Sequence, residues 1–143
     1  MALAAIDFGF KRLGVAISDA AGIGVYPLFT IARTSLAADL KGLRDALSPR
    51  EITKLIVGLP LNLDGTEGSL ARAARSFAEG VRRELNLETA MFDERLTSFE
   101  ARERIKAAPF GRSRRSHQID EHAAAVILES YLASTAQGSE PPR

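Results

Sequence analysis

Three short stretches place carboxylates where a core element ends or begins. Ala5-Ile6-Asp7-Phe8-Gly9 stops a small-to-apolar run at an aspartate beside a glycine. Ala90-Met91-Phe92-Asp93-Glu94-Arg95 stops a second apolar run at two acids, and His117-Gln118-Ile119-Asp120-Glu121-His122-Ala123-Ala124 sets two more at the mouth of an Ala-rich helix. A lone acid caps a helix or sits in water. Acids at the ends of several core elements can converge, and together they hold a hard divalent cation, which takes oxygen ligands. That grouping points to metal-assisted chemistry, above all on phosphate esters. The chain has no cysteine, which excludes a thiol nucleophile, a disulfide framework and a zinc–thiolate site. No serine triad is recognisable either.

The elements that must position these acids follow from periodicity. Ala2 to Asp7 reads as a strand, Phe8 to Arg12 as a tight connection, and Leu13 to Asp19 as a second strand. Val25 to Arg33 is a third strand, interrupted by Pro27, which marks an edge or a bulge. The period then changes. Ser35 caps a helix with Leu36, Leu40, Leu43 and Leu47 on one stripe, stopped by Ser48-Pro49. Lys54 to Leu59 is a short apolar strand of the kind buried on both faces, and Pro60 to Gly68 a loop. Ser69 caps a helix striped by Leu70, Ala73, Ala74, Phe77, Ala78, Val81 and Leu85. Glu88 to Glu94 is the fifth strand, and Thr97-Ser98-Phe99-Glu100 matches a capping box for a helix to about Ala107. Pro109 to His117 reads as a polar, basic, mobile loop, Ile119 to about Ser134 as the last helix, and 135–143 as a disordered tail. Three antiparallel strands followed by alternating helices and strands describe an α/β mixed sheet flanked by helices, a single domain over residues 1–134.

Composition narrows the class. At 143 residues, 45% of them apolar, the chain is long enough for one proper core. Lys+Arg 19 against Asp+Glu 18 leaves a net charge of +1, so total charge says nothing about nucleic acid. Its distribution says more, because Arg112, Arg114 and Arg115 cluster shortly before Asp120. No apolar run approaches the roughly 20 residues needed to cross a bilayer, and Met1-Ala2-Leu3 enters a strand without a charged leader. A cytoplasmic protein with no membrane partner is the expectation, and the missing cysteine fits a reducing compartment.

Each motif also has a bland reading. Asp7 at the end of a central strand is costly to bury unless paired or metal-bound; otherwise it is a solvated acid in a hairpin. Gly9 lets the backbone turn and leaves a phosphate room to approach Asp7, with Lys11 or Arg12 as its cation. Adjacent strand residues point to opposite faces, so only one of Asp93 and Glu94 faces Asp7. Asp120, in a first helical turn, is favoured there by the helix dipole alone. His122 could assist a water or be structural. The Pro60–Gly68 loop offers backbone N–H groups and Asn62 to an anion, or is a plain Asp-Gly turn. The three arginines either hold a nucleic-acid backbone without sequence preference or solvate a loop.

The opening motif, Asp7 to Ser18, resembles that of the YqgF-type family within the ribonuclease H-like superfamily, a family of pre-16S rRNA nucleases or Holliday junction resolvases. The likeness extends from about Ala4 to Leu132. Gly58-Leu59-Pro60-Leu61-Asn62-Leu63-Asp64-Gly65-Thr66 is similar to its central loop, Asp93-Glu94-Arg95-Leu96-Thr97-Ser98 to its second acidic motif, and Asp120-Glu121-His122-Ala123-Ala124 to its last. Phe10 departs from the pattern, where a small residue such as Thr or Ser is expected. The resemblance implies a ribonuclease H-like fold with five strands. It implies Asp7, Glu94 and Asp120 as the catalytic, metal-holding carboxylates for one or two Mg²⁺ or Mn²⁺ ions, with Asp93 holding Arg95 or capping the following backbone. Gly9, Asp93, Arg95 and His122 would support them, and Lys11, Arg12, Asn62, Arg112, Arg114 and Arg115 would contact nucleic acid.

The expected activity is a metal-dependent endonuclease processing the 5′ end of precursor 16S rRNA in ribosome biogenesis, with pre-ribosomal particles as partners. The alternatives are a Holliday junction resolvase in DNA recombination and repair, and a non-catalytic RNA-binding ribosome-assembly factor. A monomer or weak homodimer is expected, since two-fold junction cutting needs two copies. An ATPase or sugar-kinase fragment shares an Asp-containing β-turn-β opening, but 143 residues leave no second domain to close over nucleotide.

Overall fold

Residues along β1 (Ala2–Phe8) alternate between two cores. Ala4, Ile6 and Phe8 join one apolar cluster, and Ala5 joins the other. The strand is the middle of a five-stranded sheet ordered β3-β2-β1-β4-β5. In a computed structural model describing residues 2–108 and 118–136, β1 is followed by β2 (Arg12–Ser18), β3 (Val25–Ala32), α1 (Leu36–Leu47), β4 (Ile52–Leu59), α2 (Ser69–Leu85), β5 (Glu88–Asp93), α3 (Phe99–Ala107) and α4 (Gln118–Ala136). The first three strands pair antiparallel, while β1–β4 and β4–β5 pair parallel. The mixed α/β sheet expected from the order of elements is therefore what forms.

One face of the sheet carries α1 and α2. There Leu43, Val57, Phe77 and Val81 are fully or almost fully buried, and Phe8 and Phe77 meet with ring centroids 5.3 Å apart. Each large side chain so buried contributes about 1.5–3 kcal/mol. The other face carries α4, with Ala5, Ala16, Ala124 and Ala125 at the contact. Ala5 and Ala16 stand side by side on β1 and β2, so small residues on both sides bring the helix backbone close to the sheet. Buried Leu55 to Leu59 show β4 covered on both faces.

Several boundaries differ from expectation for local reasons. Pro27 lies on edge strand β3, opposite a register shift at Val15/Ala16, so edge and bulge coincide. Ser98, not Thr97, caps α3, accepting the Ala101 N–H at 3.0 Å. Gly68, not Ser69, stands at the N-cap of α2, and makes no side-chain cap. Glu94 begins a 3₁₀ turn (Glu94–Leu96) instead of ending β5, because Asp93 accepts the Arg95 N–H and bends the chain. Helix α4 reaches Ala136, two residues into the expected tail. Arg112, Arg114, Arg115 and residues 137–143 lie outside the described residues. Among those described, no helix is long and apolar enough to cross a membrane.

Candidate active site

The α4 face of the sheet carries Asp7 with Ala5 on β1, Arg12 and Gly14 with Ala16 on β2, and Gly58 with Ile56 on β4. Strand alternation requires this, since Ala5, Ala16 and Ile56 belong to the core beneath α4. Phe92 of β5 belongs there too, so Glu94, two residues on, turns to the same side, and Asp93 turns away with Met91. Asp7 and Glu94 thus lie at the carboxyl ends of β1 and β5 with β4 between them.

Two glycines make this close arrangement feasible. A Cβ on Gly14, which pairs with Asp7, would fall 2.0 Å from the Asp120 carbonyl oxygen. Only a bare backbone lets the first turn of α4 settle over Asp7. A Cβ on Gly58 would fall 2.9 Å from Glu94 Oε2 and 2.6 Å from Ile127 Cδ1, so that glycine keeps the space the Glu94 carboxylate fills. Gly9 is required by the hairpin's own backbone, since a Cβ there would meet the Arg12 carbonyl at 2.9 Å.

The electrostatics are those of crowded anions. Burial, then the charge of Asp120, push the Asp7 carboxyl up to about 6. Burial, then Asp7 and Asp93, push Glu94 up to about 7. The charge of Asp7 opposes ionisation of Glu94. Glu94 Oε2 is buried with no hydrogen-bond partner, a costly condition for a carboxylate oxygen. Asp120 turns instead to Arg12, Nε to Oδ2 at 2.6 Å, and among the described residues no group of three acidic or histidine side chains is arranged to hold a metal ion. The donor chemistry nonetheless fits a hard divalent cation: all donors are carboxylate oxygens, one is orphaned, and a cation would relieve their mutual repulsion.

The remaining sequence candidates divide. Asp93 both caps the backbone and binds Arg95, whose Nη2 lies 2.8 Å from Oδ2. The Arg95 hydrogen bond holds the Asp93 carboxyl below the usual carboxylate range. Lys11 and Arg12 are exposed at the hairpin beside Asp7, and His122 is half-buried on the first turns of α4. The loop after β4 engages several of its own donors. Asn62 N–H donates to Thr66 O, Gly65 N–H to Asn62 O and Thr66 N–H to Asp64 Oδ1, while the Asn62 amide donates to Thr66 Oγ1. These donors close an Asp-Gly turn, with Gly65 at φ +88°.

Sequence reasoning passed over Arg33 and Asp39. Asp39 is buried, binds Arg33 Nε at 3.1 Å and accepts the Thr34 N–H. Arg33 donates to the Gly9 carbonyl and lies over the Phe8 ring, bracing the turn that follows Asp7. An aspartate within an otherwise apolar helix stripe was the available signal. A concavity lined by Leu36, Leu40, Arg44 and Arg83 is on the α1–α2 side, away from the carboxylates. Chemistry on an extended polymer needs no enclosed pocket.

The sequence profile of the family described as "RuvX: Holliday junction resolvase" matches residues 1–134. A Myxococcus xanthus protein named "Putative pre-16S rRNA nuclease" is 41% identical over 127 residues, 89% of this chain and 84% of that one. A protein of the same name from Moorella thermoacetica is 41% identical over 132 residues, 92% and 94% of the two chains. Among solved structures, Thermus thermophilus RuvC in complex with a Holliday junction substrate superposes with a TM-score of 0.70 at 13% identity, covering 100% of this chain and 99% of that one. This last likeness is one of fold.

Proposed function

The chain belongs to the RuvX family, and from that membership we propose that it is a metal-dependent endonuclease on structured nucleic acid, trimming the 5′ end of precursor 16S rRNA. The observation that carries the reading is the pair of half-buried, charge-coupled carboxylates Asp7 and Glu94, one oxygen orphaned, under the first turn of α4. Asp7, Glu94 and Asp120 would hold Mg²⁺ or Mn²⁺. A bound ion supplies positive charge against the phosphate and acidifies a water.

The chain's own groups do the rest. Glu94, with a carboxyl near 7, exchanges its proton easily at neutral pH while the site is cation-free. Asp93 keeps Arg95 in place. Lys11 and Arg12 meet the phosphate, and Arg12 keeps its Nη donors for it while Nε holds Asp120. Arg112, Arg114 and Arg115 add affinity for the backbone. Work on pre-ribosomal particles would place the protein in the cytoplasm, as a monomer or weak dimer.

The description of the matched family favours a second reading, a Holliday junction resolvase. Precursor rRNA and a four-way DNA junction should be offered side by side, with and without Mg²⁺. Wild type should cut one of them only with the ion, and Asp7→Asn, which keeps the shape but removes the charge, should lower cutting at least a thousandfold. An Asp7→Asn protein that cuts at the wild-type rate rejects the carboxylate site, whereas a wild type that cuts neither substrate rejects the nuclease reading and leaves a binding factor.

A further inference from the structure

Seven large apolar side chains are exposed among the described residues, and four stand at one end of the sheet. Phe10 (59% exposed) is on the hairpin after β1, Leu63 (95%) in the loop after β4, and Leu96 (50%) and Phe99 (66%) in the turn and helix start after β5. These strands are adjacent and parallel in the order β1-β4-β5, so the four side chains crown the same carboxyl ends that carry Asp7 and Glu94. At the usual strand spacing the row spans about 10 Å. Leu63 is tied to the β5 side, because Arg95 Nη1 donates to its carbonyl at 3.3 Å. The other three exposed residues are elsewhere: Ile23 and Tyr26 at the opposite end, and Leu36 over Gly80 of α2.

Cations interleave with this row. Lys11 and Arg12 follow Phe10, Arg95 precedes Leu96, and Arg102 lies one turn past Phe99, its guanidinium on Thr97 Oγ1. A protein-binding patch would be apolar at its centre with charges at the rim. Alternating planar rings and cations suit a strand whose bases are unpaired, since rings stack on base faces while cations track phosphates. A duplex hides those faces. We propose that Phe10 and Phe99, with Leu63 and Leu96 between them, form a platform for unpaired bases flanking the phosphate to be cut. The substrate would therefore be single-stranded or splayed at that point. This rests on the nuclease reading and deepens it.

The test measures binding by fluorescence anisotropy with the uncut Asp7→Asn protein. Three probes share one phosphate count: a blunt duplex, the same duplex with an unpaired stretch, and that stretch made abasic. The unpaired probe should bind at least about fivefold tighter than the abasic one. Phe10→Ala with Phe99→Ala should abolish that advantage and leave the other two affinities unchanged. Phe10→Leu with Phe99→Leu should lose most of it, because leucine is apolar but not planar. Both positions are exposed, so unchanged unfolding midpoints will show that the variants fold.

Equal loss on all probes, no loss, no binding to any probe, or a change only in sedimentation of the protein itself would overturn the platform. Cutting assays on the chain with native Asp7 separate the two readings. If it cuts and the Phe variants keep full preference, the platform alone falls; if it cuts nothing, the nuclease reading falls on its own result.

Discussion

Glu94→Gln should stabilise the metal-free protein at pH 8 and change little at pH 4.5. In the folded chain the Glu94 carboxyl titrates at about 7 against an ordinary 4.5, so the native state binds that proton more tightly than the unfolded chain does. Between those values the native state holds more protons, and the free energy of unfolding therefore falls as pH rises. The contribution of the group is complete below about 4.5 and lost as pH passes about 7. At 1.36 kcal/mol per pH unit the interval amounts to about 3 kcal/mol, and residual solvent access with shared titration by Asp7 lowers this to about 2 kcal/mol. Glutamine carries no charge at either pH. Its amide also leaves a buried polar atom beside Gly58, but that cost is the same at both. The stability difference between variant and wild type should thus grow by about 2 kcal/mol from pH 4.5 to pH 8, or roughly 5 °C in midpoint. Urea unfolding in EDTA followed by circular dichroism measures it. Mn²⁺ at pH 8 should then raise the wild-type midpoint more than the variant's. Equal stability differences at the two pH values would show that neither burial nor its neighbours' charge raises the Glu94 carboxyl.

Asp93→Asn should lower stability by up to about 1 kcal/mol, the scale of an exposed ion pair and cap, with Mn²⁺ affinity within twofold of wild type by calorimetry; a larger loss of metal than of stability would reverse the roles given to Asp93 and Glu94. Gly14→Ala should cost about 1–3 kcal/mol by overpacking, speed hydrogen exchange in the first turn of α4 and weaken Mn²⁺ binding. Unaltered exchange in the Gly14→Ala protein would mean that α4 does not rest on that glycine. Changing Arg112, Arg114 and Arg115 together to Ala should weaken binding alike for unrelated sequences. The slope of log K against log salt should flatten by up to about 2.7 at roughly 0.9 per phosphate contact, and an unmoved slope would show that they only solvate their segment.

Much of the fold was legible because each strand and helix keeps its own period. The switch from alternation in Leu13–Asp19 to a leucine stripe in Leu36–Leu47 separates meander from helix without any tertiary knowledge. The carboxylates were legible as strand-end acids, and alternation narrowed Asp93 and Glu94 to one. What stayed hidden depends on contacts between distant elements. Gly14 reads as an ordinary small strand residue until the Asp120 carbonyl is seen against it. Asp39 stands out only as an acid on the leucine stripe, and its partner Arg33 shows only in the fold. The loop at Asn62 has the composition of an anion cradle, and only its internal hydrogen bonds show the donors already taken.

The order in which the chain is made decides when the Asp7–Glu94 pair is covered. Arg12 and Asp120 meet across 108 residues, and α4 packs on β1, β2 and β3, the first elements to emerge. During synthesis the β-meander and even the β5 acids can form while the third carboxylate is still inside the translating ribosome. A nascent chain stalled before α4 therefore carries Asp7 and Glu94 with no partner above them, and the α4 face of the sheet stays uncovered. The pairing of Arg12 with Asp120 across 108 residues therefore waits for a helix translated after all five strands of the sheet it covers.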